Sequence, residues 1–258
     1  MLTRLGYWWR SPRLGKSQRR SFVRIGRGHY KRLRYADALL ATQIEHNLVA
    51  FGASPHLPQL VARHENELWV RFVDGERIAQ PRTEPALSLF AGFFAHLYTR
   101  APSRVPIAET GLPYRVHSDL TFLGETRVLA SDHAGQLVTV AERLAPEALW
   151  LGFDYVDPVL KNFVRTADGT LVAVDVESLH HSRPLGTGLA HAEIHWLGSD
   201  VETLAAAIAA RGAPDFVSTL PYVHLCVLAG WTKRKLLQGK TRFVDPARFS
   251  RYLEDRAQ

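Results

Sequence analysis

The chain has 258 residues, of which 46% are hydrophobic and 22% are charged, and its formal net charge is +7. This composition is typical of a globular protein, and no apolar run approaches the roughly 20 residues that a membrane-spanning helix requires. The single cysteine, Cys226, excludes an internal disulfide and a cysteine-based zinc site. The first residues lack the apolar core of a secretory signal, so we expect a cytoplasmic protein.

Positive charge is concentrated at the start of the chain, where 11 lysines and arginines fall within the first 34 residues. Such a segment suits a phosphate-rich partner, which leaves a nucleotide, a nucleic acid and an anionic membrane surface as alternatives. A solvated basic arm over residues 1–20 would explain the same charges without any partner. Trp8 and Trp9 lie in this arm and fit either a lipid interface or packing against the folded chain.

The pattern between residues 21 and 75 predicts a strand, a helix and two further strands, and longer helical patterns follow. Gly26 and Gly28 interrupt the first strand, and Glu45 lies within the first helix, which Gly52 ends. The predicted strands cover 21–26, 57–61 and 68–73, and the predicted helices cover 35–51, 84–99, 137–151, 201–210, 222–237 and 246–257.

Polar side chains occupy fixed places around a predicted hairpin in residues 152–179. An Asp-Gly turn separates two short apolar runs, which is typical of a hairpin. Asp157 precedes Asn162 by five residues, and Asp175 follows Asn162 by thirteen. Because a hairpin of this size folds back on itself, we expect Asn162 and Asp175 to lie side by side. Two oxygen ligands beside a further carboxylate suit a hydrated Mg²⁺ that holds phosphate oxygens while a base receives a proton.

This spacing resembles the catalytic and metal-binding loops of the protein-kinase-like superfamily. The second Asp is followed by x-Glu, here Glu177, as in bacterial lipopolysaccharide and small-molecule kinases. The resemblance implies that Asp157 is the catalytic Asp and that Asn162 and Asp175 are Mg²⁺ ligands. Tyr155 matches the family's His or Tyr two residues before the catalytic Asp, whereas the residues on either side of Asp157 depart from the family pattern.

The same resemblance implies a nucleotide-binding role for the first 75 residues. In the family, a strand lysine pairs with a helix glutamate and holds the α- and β-phosphates of ATP. Glu45 matches the glutamate by position, but the predicted strand offers Arg24 and the nearest lysine, Lys31, lies just before the helix. We therefore expect Arg24, with Lys31 as the alternative, to bind the phosphates beside Glu45. The candidate for the family's glycine-rich loop is residues 13–17.

A second sequence, His-x-Asp-Leu at residues 117–120, also resembles the start of a phosphotransferase catalytic loop. The position five residues beyond Asp119 is Gly124 rather than Asn, and no apolar strand ending in Asp follows. We therefore rank Asp119 behind Asp157 as the catalytic residue. His117 and Asp119 remain open as contacts to a substrate.

The resemblance implies an α+β, protein-kinase-like two-lobe fold. A small β-rich lobe with one helix would cover residues 1–75, and a larger, mostly helical lobe would cover 76–258. The implied activity is ATP- and Mg²⁺-dependent transfer of a phosphoryl group to a hydroxyl acceptor, with a lipopolysaccharide core sugar or a small metabolite as first candidates. The missing lysine and glycine-rich loop keep open an inactive, kinase-like binding protein (a pseudokinase). A nucleic-acid-binding protein would explain the basic start but not the paired carboxylates.

Overall fold

A five-stranded antiparallel sheet and one helix form the first part of the computed structural model, which describes residues 9–10 and 19–254. The strands are β1 (Trp9–Arg10), β2 (Arg19–Ile25), β3 (Gly28–Arg34), β4 (Leu60–His64) and β5 (Glu67–Arg71), in the spatial order β1-β2-β3-β5-β4. Helix α1 (Ala38–Phe51) connects β3 to β4. Asp37 caps its first turn, accepting a hydrogen bond from the Leu40 amide at 2.8 Å.

The turn after β2 corrects our prediction for this part of the chain. Gly26 has a φ of 59°, so the chain reverses there and returns as β3 instead of leaving the sheet. The two strands form a hairpin in which Phe22 lies opposite Lys31. Lys31 therefore lies on the central strand of the sheet, and our prediction that it lies off the strand is wrong.

Helices and short strands form the second part of the chain. The helices are α2 (Glu84–Tyr98), α3 (Leu112–Glu125), α4 (Ser131–Leu144), α5 (Thr187–Ala192), α6 (Val201–Ala209), α7 (Leu220–Leu237) and α8 (Ser250–Glu254). The strands are β6 (Ser103–Pro106), β7 (Ala148–Tyr155), β8 (Phe163–Arg165), β9 (Leu171–Ala173) and β10 (Leu179–Pro184). β7 is the middle strand of a sheet in the order β10-β7-β6, and β8 pairs with β9 in a separate hairpin.

The predicted helix over residues 137–151 is correct only as far as Leu144. Ala145 is extended, as expected for a residue that precedes a proline, and Pro146 prevents the helix from continuing. The chain then enters β7, so a buried strand rather than a helix leads to Asp157.

One hydrophobic core joins the sheet-containing first part to the helices. Ile44, Leu48 and Phe51 of α1 are buried in the same cluster as the aromatic residues of α2. The ring of Phe51 meets the ring of Phe153 edge-to-face at 5.1 Å. On the same helix, the side-chain amide of Asn47 donates to the backbone oxygen of Leu179 at 3.0 Å. These contacts hold α1 against the segment that contains the predicted site.

A second hydrophobic cluster lies among α3, α4, α7 and α8, with Leu120, Leu137 and Leu228 at its centre. Among the described helices, none is both long and apolar enough to cross a lipid bilayer.

Candidate active site

The β8–β9 hairpin places the predicted metal ligands next to each other. Phe163 lies opposite Ala173, and the Val174 amide donates to the backbone oxygen of Asn162 at 2.7 Å. Asn162 therefore lies across from the residue that directly precedes Asp175. Asp175 is 3% exposed and comes just after β9, where the chain enters a 3₁₀ turn over Val176–Ser178.

Asp157 lies on the connection between β7 and a 3₁₀ turn over Leu160–Asn162, and it is half-buried. Its backbone oxygen accepts a hydrogen bond from the side-chain nitrogen of Asn162 at 2.9 Å. This bond uses the side-chain NH₂ group of Asn162, so the side-chain oxygen is the atom left to bind a metal ion. The indole nitrogen of Trp196 donates to the Pro158 backbone oxygen at 2.8 Å, which fixes the same connection from another side.

Tyr155 joins the Asp157 connection to the hairpin. Its hydroxyl donates to the backbone oxygen of Asp175 at 3.0 Å, and the side chain is fully buried. Burial raises the pKa of Tyr155, and the charges of Asp175 and Asp157 raise it further. The hydroxyl therefore keeps its proton and remains a hydrogen-bond donor to this backbone oxygen.

Asp154, which our sequence analysis did not single out, is a fully buried carboxylate one residue before Tyr155. It accepts hydrogen bonds from the Tyr155 amide at 2.7 Å, the Gly188 amide at 3.0 Å and the Tyr98 hydroxyl at 3.2 Å. Burial raises its pKa to about 7 in spite of these hydrogen bonds. Asp154 ties α5 and α2 to the end of β7, just before the connection that carries Asp157. The only sequence signal for this role is a carboxylate inside an apolar run.

We expect Gly188→Ala to lower the free energy of unfolding by about 1–3 kcal/mol, because it overpacks this junction. A Cβ at residue 188 would lie 2.5 Å from the Tyr155 backbone oxygen and 2.6 Å from a carboxylate oxygen of Asp154. A melting temperature lower by several degrees in circular dichroism would confirm this. Gly135→Ala on α4 is the control, since nothing lies within 4 Å of its Cβ. Equal melting temperatures for the two variants would contradict the prediction.

Lys31 reaches from the central strand of the first sheet to the hairpin. Its Nζ donates to the backbone oxygen of Val174 at 2.7 Å. Because Val174 directly precedes Asp175, the ammonium group lies next to the predicted metal ligand. Lys31, which our sequence analysis gave as the alternative to Arg24, therefore contacts the hairpin directly.

Arg24 and Glu45 do not meet in the structure, and the predicted pair is wrong. Arg24 is exposed near the tip of the β2–β3 hairpin, where its Nε donates to the Gly26 backbone oxygen at 3.2 Å. Glu45 faces β4 and forms an ion pair with Arg63 at 2.7 Å. The candidate glycine-rich segment, 13–17, lies outside the described residues.

Arg20 supplies a second cation beside Asp175, which our sequence analysis did not distinguish from the other basic residues. Its Nη2 lies 3.5 Å from Asp175 Oδ1 and 3.2 Å from Glu177 Oε2, and both carboxylates are buried. The hydroxyl of Tyr35 also feels the charges of these two carboxylates. Burial raises the pKa of Tyr35, and the charges of Glu177 and Asp175 raise it further. Two buried carboxylates are costly without compensating positive charge, and here that charge comes from β2.

The donor atoms at this place fit Mg²⁺ held together with phosphates. The amide oxygen of Asn162 and the carboxylate of Asp175 are the hard oxygen ligands that Mg²⁺ prefers, and Arg20 already places a cation against Asp175. In the described part of the chain, no three His, Cys, Asp or Glu side chains are grouped so that they could hold a metal. Phosphate oxygens and waters would therefore have to complete the coordination.

Asp119, the second-ranked candidate, lies inside α3 rather than on a loop. Its carboxylate accepts a hydrogen bond from Lys233 of α7 at 2.8 Å. Asp119 also lines a cavity between α3 and α7, whereas His117 is exposed.

Comparison with known proteins finds similarity at the level of structure. No protein-family model matches the sequence, and no curated protein sequence matches it. The choline kinase LicA from Streptococcus pneumoniae is similar with a TM-score of 0.66 and 12% identity, over 98% of this chain and 92% of that one. Macrolide 2'-phosphotransferase MphH from Brachybacterium faecium has a TM-score of 0.62 and 14% identity, over 93% of this chain and 92% of that one.

A third similar structure is a thermostable mutant of aminoglycoside phosphotransferase APH(4)-Ia in a ternary complex with AMP-PNP and hygromycin B. Its TM-score is 0.60 at 14% identity, over 95% of this chain and 90% of that one. The chain therefore has the α+β protein-kinase-like fold, with a small β-rich lobe and a larger, mostly helical lobe, as the sequence predicts.

Proposed function

We propose that the protein is an ATP-dependent phosphotransferase that transfers the γ-phosphoryl group to a hydroxyl acceptor. The observation that carries this proposal is that Lys31 contacts Val174 while Asn162 lies across from the same residue, so that both adjoin Asp175. In this proposal, residues up to about 75 form the nucleotide-binding lobe and 76–258 the catalytic lobe. The similar aminoglycoside phosphotransferase, solved with a nucleotide analogue and hygromycin B, supports a site for two substrates.

Each side chain in the proposed site has a limited chemical task, because phosphoryl transfer depends mainly on positioning and electrostatics. Lys31 binds the α- and β-phosphate oxygens of ATP. Asn162 and Asp175 provide oxygen ligands for Mg²⁺, which when bound neutralises phosphate charge. Asp157 accepts the proton of the acceptor hydroxyl as the oxygen forms its bond to phosphorus and the bond to the ADP oxygen breaks.

Tyr155 and Asp154 act as positioning residues in this proposal. Tyr155 holds the backbone at Asp175, and Asp154 holds the strand end that precedes Asp157. Neither needs to touch the nucleotide for the reaction to depend on it, since a displacement of about 1 Å at a reacting group is costly.

The competing hypothesis is a kinase-like protein that binds a ligand without catalysis. Its sequence argument is the lack of a strand lysine and of a glycine-rich loop. Lys31 on the central strand removes the first half of that argument, and we therefore favour the active enzyme. A hydroxyl of a lipopolysaccharide core sugar or of a small metabolite is the acceptor we propose, and the former would bring the basic start of the chain near an anionic membrane surface.

Asp175→Ala is expected to abolish the Mg²⁺-dependent part of the stabilisation by ATP. Ligand at a hundred times its Kd stabilises a protein by about 2.7 kcal/mol, which is a rise in melting temperature of roughly 5–10 °C for a chain of this size. We expect the wild type to show this rise with ATP and Mg²⁺, and the variant to melt at the same temperature with and without Mg²⁺.

Asp168→Ala is the matched control for that measurement, because Asp168 lies at the exposed turn of the same hairpin. It should retain the full Mg²⁺-dependent rise. A wild type whose melting temperature does not respond to millimolar ATP and Mg²⁺ would reject the nucleotide site.

A further inference from the structure

A cavity of about 470 Å³ lies between α3, α7 and the connection from β10 to α5. This volume is within the range of roughly 300–1,000 Å³ that small-molecule sites occupy. Its apolar lining includes Val116 of α3 and Val223 and Trp231 of α7. A polar ligand with one apolar face, such as a sugar ring, could rest against such a surface.

Positive charge dominates the polar lining of the cavity. Arg115, Arg183 and Arg234 line it, and within the described residues none of their guanidinium groups forms a salt bridge or a side-chain hydrogen bond. Two carboxylates also line it, those of Glu109 and Asp119. The charge of Asp119 is neutralised by Lys233 at 2.8 Å, so the three arginines outweigh the one remaining acid.

The side chain of His195 relates the cavity to the proposed catalytic residue. The His195 ring is parallel to that of His191 at 6.4 Å and meets Trp231 edge-to-face at 5.9 Å, and both of these residues line the cavity. Burial lowers the pKa of His195, and the nearby negative charge of Asp157 opposes that shift. His195 thus contacts two residues of the cavity lining and also feels the charge of Asp157, which relates the cavity to the proposed base.

We propose that this cavity binds the phosphoryl acceptor and that the acceptor is an anionic sugar, either a sugar acid or a sugar phosphate. This proposal rests on the proposed phosphotransferase function. Arginine binds carboxylate and phosphate groups through paired, charge-assisted hydrogen bonds, which gives Arg183 and Arg234 a ligand of complementary charge. The similar choline kinase is named for a cation, and quaternary ammonium ligands are recognised by aromatic cages, not by arginines.

The test measures binding by isothermal calorimetry without nucleotide, so that it does not depend on turnover. The probes are glucuronate and glucose 6-phosphate as anionic sugars, glucose as the neutral match and glucosamine as the cationic match. We expect at least one anionic sugar to bind about tenfold more tightly than glucose or glucosamine, or better. Arg183→Gln and Arg234→Gln should each weaken that binding about tenfold. Arg104→Gln, an exposed arginine on β6 outside the cavity, is the control and should bind like the wild type.

The proposal is overturned if neither anionic sugar binds more tightly than glucose, or if the Arg183 and Arg234 variants bind like the control. An alkyl glucuronide distinguishes the source of the ligand, since tighter binding than free glucuronate indicates a glycolipid headgroup and equal or weaker binding a soluble acceptor. If the protein binds an anionic sugar but its melting temperature does not rise with ATP and Mg²⁺, the phosphotransferase function alone is rejected. An intact ATP response without anionic sugar binding would reject only this acceptor.

Discussion

Asp157→Asn is expected to lower the rate of phosphoryl transfer by a factor of about 10²–10⁴ while leaving the affinity for ATP nearly unchanged. The substitution keeps the size of the side chain and removes its ability to accept a proton. It leaves the backbone oxygen that holds the Asn162 side chain, so the metal ligands should stay in place. The measurement is ADP formation in a coupled assay, with water or an added sugar as acceptor, alongside a calorimetric Kd for AMP-PNP.

Asp168→Asn is the control for this variant, because it makes the same chemical change at the exposed hairpin turn. We expect its rate to match that of the wild type. If Asp119→Asn is instead the inactive variant and Asp157→Asn is active, the assignment of the catalytic Asp is wrong.

Lys31→Met should raise the Kd for ATP about 10- to 100-fold, because it removes a charge-assisted contact to phosphate. Methionine keeps the length and the apolar stem of lysine, and the ammonium group at Val174 is lost. Turnover at subsaturating ATP should fall by at least the same factor. A calorimetric titration with AMP-PNP and Mg²⁺ measures the first effect directly.

Arg24→Ala and Glu45→Ala are the matched controls for Lys31→Met. Arg24 contacts the backbone of its own turn, and Glu45 forms a half-exposed pair with Arg63, worth about 0–1 kcal/mol of stability. Neither variant should change the affinity for the nucleotide. If Arg24→Ala weakens nucleotide binding and Lys31→Met does not, Arg24 is the residue that binds the phosphates, as the sequence analysis predicted. If none of the three variants changes the affinity for the nucleotide, the protein has a kinase-like fold but lacks a side chain that holds the phosphates.

The part of the site that could be predicted from the sequence is the local part. The Asp-Gly turn and the flanking apolar runs determine a hairpin by short-range rules, and a hairpin fixes the distance between Asn162 and Asp175. The same segment carried the resemblance to a family. The fold that this resemblance implies is confirmed, because α+β two-lobe structures of kinases and phosphotransferases match over most of the chain.

The path of β3 could not be predicted, because its surroundings are supplied by distant residues. The sequence analysis ended the first strand at Gly26 and Gly28 and predicted no strand over the basic residues Lys31, Arg32 and Arg34. In the structure, Arg32 and Arg34 each bond to Glu67 of β5 at 2.7 Å, and the hydrogen bond from Arg32 is the main cause of the lowered pKa of Glu67. These contacts make a basic strand stable at the centre of a sheet.

The ion pairs around Asp175 likewise join residues that are far apart in the sequence. Arg20 and Asp175 are separated by 155 positions, so no local pattern links them. Part of the positive charge at the start of the chain is therefore used inside the fold, at Asp175, Glu177 and Glu67, rather than offered to a partner. Asp154 was missed for a related reason, because its partners Tyr98 and Gly188 lie on two other elements.

A crystal structure of the protein with AMP-PNP and Mg²⁺ tests the central claim most directly. We expect Mg²⁺ at about 2.0–2.1 Å from the amide oxygen of Asn162 and from the carboxylate of Asp175. The Lys31 ammonium should contact a phosphate oxygen, and Asp157 should face the γ-phosphate. A nucleotide bound elsewhere, or phosphates that leave Lys31 on Val174 and Asp175 paired with Arg20 alone, would contradict the assignment of this site.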